Sequence, residues 1–306
     1  MTAVQRSSGD LIADRRFLYG EGLLADGDAV AAAELFEQAL EIAPDWPDGH
    51  AGLARARAAA SDTDGAASAW RRVLALEPAD VLGARLHLGL LGAAEVPAVP
   101  PPAYVAALFD QYAPDFEAAL VDRLGYAAPP ALAALVAETG RTFADAVDLG
   151  CGTGLMGAAV RTSVGRLDGI DLSAAMLEQA AAKGLYDDLT VGDVGTVLAA
   201  RPGRYELALA ADVLCYLGDL APVLGAVARS LAPGGLFAFT IETLAEDAGE
   251  DWLLRPSLRY AHRPSGVVEA ARRAGFDRLR SVAVALRLDG GTPVEGAALL
   301  MKRRAG

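Results

Sequence analysis

Val147-Asp148-Leu149-Gly150-Cys151-Gly152-Thr153-Gly154 is the stretch on which the reading of this 306-residue chain turns. It stands where a predicted strand, residues 144–149, gives way to a predicted helix, residues 155–161. Glycines at such a junction give a tight turn and let a ligand approach the backbone closely. In open α/β sheets, ligands bind beyond the carboxyl ends of the strands. Asp148, at the strand's end, is placed to hydrogen-bond or pair with a cationic ligand. A carboxylate there would repel a dinucleotide's pyrophosphate but not an amino group. The distinction matters because Gly152-x-Gly154-x-x-Gly157 also matches the dinucleotide fingerprint, with Asp171 about twenty residues further on. Against that reading stand Asp148, the Gly150-x-Gly152-x-Gly154 phase, Asp193, and Pro233-Gly234-Gly235.

From residue 143 onward the pattern alternates. Strands are expected at residues 144–149, 166–170, 189–191, 206–210 and 236–241. Helices are expected at 155–161, 174–182 and 220–231, with a turn near 195–200. This alternation predicts a parallel sheet with helices on both faces. A helix at 267–274 and strands at 279–286 and 297–301 follow. Asp289-Gly290-Gly291 between those two strands is a turn signal, so an antiparallel pair is expected at one sheet edge.

Asp148-Leu149-Gly150-Cys151-Gly152-Thr153-Gly154 resembles the cofactor motif of class I S-adenosylmethionine-dependent methyltransferases. Ile170-Asp171-Leu172-Ser173, Gly192-Asp193-Val194 and Ala210-Ala211-Asp212-Val213-Leu214 follow the second, third and fourth predicted strands. Pro233-Gly234-Gly235 precedes the fifth. Their order is that of the family, over about residues 143–303. The resemblance implies a Rossmann-like, seven-stranded α/β methyltransferase sheet and S-adenosylmethionine as cofactor. It implies that Asp148, Gly150, Cys151, Gly152 and Gly154 hold the methionine portion. Asp171 with Leu172 would take the ribose, Gly192 with Asp193 the adenine end, and Asp212 would line the floor near the methionine part. In many methyltransferases of this kind a helix before the first strand closes over the cofactor. Residues 104–124 read as that amphipathic helix, split at Pro114, with Phe109, Tyr112, Phe116 and Leu120 on one face. Tyr112 is the residue expected to reach the ligand.

Two residues are candidates for the chemistry. His262, in Tyr260-Ala261-His262-Arg263-Pro264, is expected on a loop near the site's mouth, where a neutral imidazole can take a proton from the acceptor. Tyr216, shortly after Asp212, is expected to touch substrate. Cys151 and Cys215 are read as small packing residues. Two cysteines make no disulfide framework, and no ligand cluster suggests a metal.

The first ninety or so residues read differently. Pro44 and Pro78 stand 34 positions apart, and the same offset pairs Ala32 with Ala66, Phe36 with Trp70 and Leu40 with Leu74. A 34-residue period of this kind resembles the tetratricopeptide repeat. Arg16 and His50 depart from it, standing where that repeat favours Trp. Residues 1–95 are therefore expected to form an all-α helical-repeat domain, capped by a helix over residues 81–91. Residues 96–130 form a proline-rich linker and lid helix, and residues 131–306 the catalytic domain. His50 and His87 are expected to be packing residues.

The formal net charge of −13 disfavours nucleic acid and anionic membrane surfaces. No apolar run is long enough to span a bilayer, and Asp14, Arg15 and Arg16 sit too early for a signal peptide. A cytoplasmic enzyme is expected, acting on a small molecule in preference to a protein docked by the repeats. The rival is a non-catalytic scaffold that binds partners or itself through the repeats.

Overall fold

The computed structural model describes residues 6–113, 116, 117 and 124–305. It divides into two compact units, Met1–Ala107 and Leu108–Gly306, with the boundary inside one helix.

The first unit is helical. α1 (Leu11–Ala25) packs on α2 (Ala29–Ile42), α2 on α3 (Pro47–Ala59), and α3 on α4 (Thr63–Leu76), with α5 (Ala84–Leu90) against α4. Local chemistry sets where the helices begin. The carboxylates of Asp10, Asp28 and Asp62 accept from first-turn amides of α1, α2 and α4, and Pro47 opens α3 at a position where no amide partner is needed. Of the residues related by the 34-position offset, Ala32, Phe36 and Ala66 are fully buried and Trp70 nearly so, while Pro44 and Pro78 are exposed. Small residues make room for the large ones. A Cβ on Gly20 or Gly52 would lie 2.8–2.9 Å from the Phe36 ring. His87 lies flat on Trp70, ring centroids 4.1 Å apart, and burial lowers its pKa to about 4. His50 instead places Nε2 2.9 Å from the Pro44 carbonyl oxygen.

α6 (Pro102–Tyr112) carries the chain across the boundary. The expected break at Pro114 and the position of Leu120 lie outside the described residues.

The second unit alternates: α7 (Ala128–Ala137), β1 (Phe143–Leu149), α8 (Leu155–Val160), β2 (Val164–Asp171), α9 (Ala174–Ala182), β3 (Asp188–Val191), α10 (Val194–Ala199), β4 (Tyr205–Ala210), α11 (Ala221–Ser230) and β5 (Leu231–Thr243). Then come β6 (Trp252–Leu254), β7 (Tyr260–His262), α12 (Pro264–Arg273), β8 (Phe276–Asp289) and β9 (Thr292–Arg303). The strands lie in the order β3-β2-β1-β4-β5-β7-β6, with β9 antiparallel to β5 and β8 antiparallel to β9. The pairs among β1–β5 are parallel.

The sheet thus has nine strands among the described residues, not seven. The two additional ones, β6 and β7, are three residues each, too short to show an alternating pattern. β7 pairs with β5 at Glu242 opposite Ala261 and Thr243 opposite His262. The turn expected near residues 195–200 is the helix α10.

Central strands are apolar on both sides because helices cover both faces. Val147, Leu149, Phe237 and Phe239 join the core under α11 and α12. Ala146, Leu207 and Leu209 join the opposite core with Leu132, Leu135 and Met156.

Phe36→Ala leaves a void against two glycines whose backbones cannot fill it. It should destabilise the helical unit by about 3–5 kcal/mol. Urea denaturation followed by the fluorescence of buried Trp46 and Trp70 reads this; an unchanged midpoint would contradict the packing described.

Candidate active site

The site is built at the carboxyl ends of β1, β2, β4 and β5. Gly150, Gly152 and Gly154 have φ of +59°, +52° and +92°, the left-handed region that favours glycine. A Cβ on Gly150 would also strike Val213, 2.6 Å away. The loop they form is tied down from β2. Cys151 N donates to the Ile170 carbonyl oxygen (3.0 Å), and Gly152 N donates to Asp171 Oδ2 (2.8 Å). The other oxygen of Asp171 accepts from Ser173 N (2.8 Å), and Ser173 Oγ caps α9 by accepting from Met176 N. Burial raises the pKa of Asp171, opposed by these amide bonds. Gly192 N donates to the Asp171 carbonyl oxygen (2.9 Å), linking the β3 turn to the same residue.

Asp148 ends β1 almost fully buried, at 1 % exposure. Its Oδ2 accepts from Tyr186 Oη (2.7 Å). Its Oδ1 has no hydrogen-bond partner among the described residues. Burial pushes the carboxyl up to about 7, against the Tyr186 bond and with help from the nearby charge of Asp171. Gly157, the third glycine of the dinucleotide look-alike, has a reason of its own: a Cβ there would collide with the Tyr186 hydroxyl. The Cys151 thiol is buried and its pKa is pushed up by that burial, which leaves it unreactive.

The remaining expected cofactor residues are placed as follows. Leu172 is half-buried beside Asp171. Asp193 is exposed and caps α10, with Oδ1 accepting from Thr196 N (2.9 Å) and Thr196 Oγ1 (3.0 Å). Asp212 has φ +55°; Thr240 Oγ1 accepts from its amide (2.9 Å), and Arg287 Nη1 donates to its Oδ2 (2.7 Å). Burial raises the Asp212 pKa, opposed mainly by Arg287.

Segment 108–117 supplies contacts that sequence reading missed. Thr153 Oγ1 donates to Glu117 Oε1 (2.5 Å), and Lys183 pairs with the same carboxylate. Ser173 Oγ donates to Asp110 Oδ1 (2.6 Å). Phe116 reaches within 4.0 Å of a Cβ built on Gly152. Phe109 packs edge-on against Phe116 and Tyr216, ring centroids 6.2 and 5.4 Å apart. Tyr112 is half-buried, and burial raises its pKa while Arg259 opposes.

The two candidates for chemistry fare differently. Tyr216 ends a short 3₁₀ turn after β4, and its hydroxyl accepts from Arg259 Nε (3.0 Å). His262 is not on a loop. It lies in β7 at 2 % exposure, with Nε2 2.8 Å from the Leu217 oxygen and 3.1 Å from the Gly218 oxygen. Two carbonyls at Nε2 require that nitrogen to carry the proton. The loop placement failed because pairing with the last residues of β5 draws this segment into the sheet.

Two buried ion pairs also went unread. Arg287 bridges Asp212 and Glu242, and Arg255 Nη1 adds a second cation to Glu242 (3.1 Å). Arg287 lies 75 positions from Asp212 and 45 from Glu242, so no local spacing marks that bridge.

The raised pKa of Asp148 has a testable sign. The folded chain keeps this proton to about pH 7, while an unfolded carboxyl releases it near its ordinary value of 3.8. The folded state therefore loses stability as pH rises through that window. Asp148→Asn carries no such charge and still offers an oxygen to Tyr186. Relative to wild type, it should gain on the order of 2–4 kcal/mol between pH 4 and pH 8. Denaturation of both proteins across that range checks this; parallel pH profiles would refute it.

Comparison with known proteins agrees with this geometry. Residues 147–237 match the family model described as a methyltransferase domain. The chain is 28 % identical over 147 residues to the ubiquinone biosynthesis O-methyltransferase of Bordetella pertussis, covering 43 % of this chain and 61 % of that protein. It is 32 % identical over 108 residues to the malonyl-[acyl-carrier protein] O-methyltransferase of Salmonella typhimurium, covering 35 % and 43 %. The chain thus spans about three fifths or less of these curated relatives. Among solved structures, it resembles the 1,6-didemethyltoxoflavin-N1-methyltransferase of Burkholderia thailandensis with a TM-score of 0.52 at 20 % identity, over 69 % of this chain and 94 % of that one. That likeness speaks to the fold. Taken with the glycine loop and the acids at the ends of β1 and β2, these matches support an S-adenosylmethionine-dependent methyltransferase domain around residues 147–237.

Proposed function

We propose that the chain transfers the methyl group of S-adenosylmethionine to a small-molecule acceptor. The observation that carries this reading is the orphaned Oδ1 of Asp148, buried beside a loop of three left-handed glycines. A buried carboxylate oxygen without a partner is costly, and an ammonium group satisfies it. The cradle therefore fits an amino-acid ligand better than a phosphate.

Bound there, S-adenosylmethionine supplies an electrophilic methyl on a sulfonium that is already a good leaving group. The chain's own part is to bind and align. Asp148 holds the amino group, and the backbone of Gly150, Cys151, Gly152 and Gly154 borders the methionine portion. Asp171 keeps lone pairs for the ribose while pinning Gly152, with Leu172 beside it. Gly192 and Asp193 lie at the adenine end. Phe109, Tyr112 and Phe116 form the lid, and Tyr216 with Asp212 lines the acceptor side. The buried His262, protonated at Nε2 and tied to two carbonyls, is assigned a positioning role for the turn at residues 217–218 and not that of a base. The small-molecule relatives named above support the acceptor class.

The helical unit supports a second element of this reading. We read it as two tetratricopeptide-like repeats that offer a protein contact. α1 exposes Leu11, Ile12, Leu18 and Tyr19 together, more apolar surface on one short helix than solvation alone accounts for.

Calorimetric titration tests the cofactor assignment. The purified chain should bind S-adenosylmethionine and S-adenosylhomocysteine saturably and NADH not at all. Asp171→Ala should weaken both adenosyl ligands by about ten- to a hundredfold. Binding of NADH alone would sink the proposal.

A further inference from the structure

The strand order divides the site. The glycine loop, Asp171 and the β3 turn lie over β1, β2 and β3, and Tyr216, Arg259 and Arg287 lie beyond β4, over β5, β7 and the β8–β9 pair. If the first half takes the cofactor, the second faces the acceptor.

That second half carries an unbalanced charge. Three guanidiniums, those of Arg255, Arg259 and Arg287, gather around two carboxylates, Asp212 and Glu242. Arg287 saturates one oxygen of each carboxylate, and Arg255 takes the remaining oxygen of Glu242. Arg259 is left over. It is partly buried, and its one hydrogen bond among the described residues runs from Nε to Tyr216 Oη. Its carbon lies 5.5 Å above the Tyr216 ring. No carboxylate lies within ion-pairing distance of it among the described residues. In a chain of net charge −13, a half-buried arginine on which Asp212 acts only from beyond ion-pairing distance, with no closer acid among the described residues, is unusual. Its Nη edge presents the planar fork that matches a carboxylate. The walls nearest it are aromatic: Tyr216, with Phe109 packed on it, and Tyr112 within electrostatic reach.

We propose that the methyl acceptor is a carboxylic acid with a flat, apolar body, and that Arg259 is the residue that selects it by binding its carboxylate. The inference rests on the methyl-transfer reading above. Among the described residues one positive charge is in excess, which a single carboxylate balances, whereas a phosphate dianion would overshoot. The aromatic walls supply stacking surface for the body. A bound sulfonium would add a further positive charge and so favours an anionic acceptor again.

The test is a set of titrations of the full chain, with and without S-adenosylhomocysteine, using cinnamate and benzoate, their amides, and inorganic phosphate as probes. The expected result is saturable binding of the acids, with the amides weaker by about tenfold or more. Arg259→Gln should abolish that preference, and Arg259→Lys should recover part of it. Both variants should bind S-adenosylhomocysteine as wild type does, which a collapsed site would not. The proposal is overturned if acids and amides bind alike, if Arg259→Gln keeps the preference, or if phosphate competes as well as cinnamate. Failure of S-adenosylhomocysteine to bind while the acids still depend on Arg259 would remove the methyl-transfer reading and leave the carboxylate site standing. Binding of S-adenosylhomocysteine with no acid preference would do the reverse.

Discussion

The carboxylate of Asp171 is the point on which the site's shape depends. One oxygen accepts from Gly152 N, the other from Ser173 N. A single side chain thereby joins the glycine loop after β1, the end of β2 and the capped start of α9. Two charge-assisted amide bonds on a nearly buried carboxylate are stronger than neutral ones. They hold Gly152 in a conformation it would otherwise share with many others, since a residue that tolerates left-handed backbone also tolerates much else. The loop is rigid because of an acid, and the acid stays satisfied before any ligand arrives.

Arg287 does comparable work on the far side. It reaches from β8 to Asp212 after β4 and Glu242 on β5, so three strands converge on one guanidinium at 3 % exposure. A buried ion pair gives little net stability over apolar packing, yet removing one partner is costly because it strands the other charge. The arrangement therefore fixes geometry more than it adds stability. Asp212 is the clearest case: its backbone sits at φ +55° without being glycine, a strained state that persists where the surroundings over-determine it. Thr240 at its amide and Arg287 at its carboxylate are those surroundings.

Much of the fold was legible in the sequence because its determinants are local. The glycine triplet announced left-handed turns, the acids after β1, β2 and β3 announced strand ends, and alternating apolar runs announced a sheet covered on both faces. The 34-position offset pointed to Phe36 and Trp70 as core. What escaped has the opposite character. Arg287 meets Asp212 across 75 positions, Tyr186 meets Asp148 across 38, and Glu117 meets Thr153 across 36. No window of the sequence contains both partners of such a pair. β6 and β7 escaped for another reason: three residues are too few to display a period, and their pairing is set by β5. His262 was misplaced with them: lying between the fifth expected strand and a helix it reads as loop, yet it belongs to β7.

β5 pairs with β9 along much of its length but also meets β7 at its last two residues. The sheet forks there, and the segment between β5 and α12 is tied to it by those two residue pairs, by Arg255 on Glu242 and the Thr243 oxygen, and by His262 on the Leu217 and Gly218 oxygens. Arg255 and Arg259 both belong to that segment. Substitutions at its exposed positions leave the pairing of β1 to β5 untouched, so on the reading proposed above the acceptor side can change while the cofactor half of the molecule stands still. A fold arranged this way keeps its reaction and exchanges its customer.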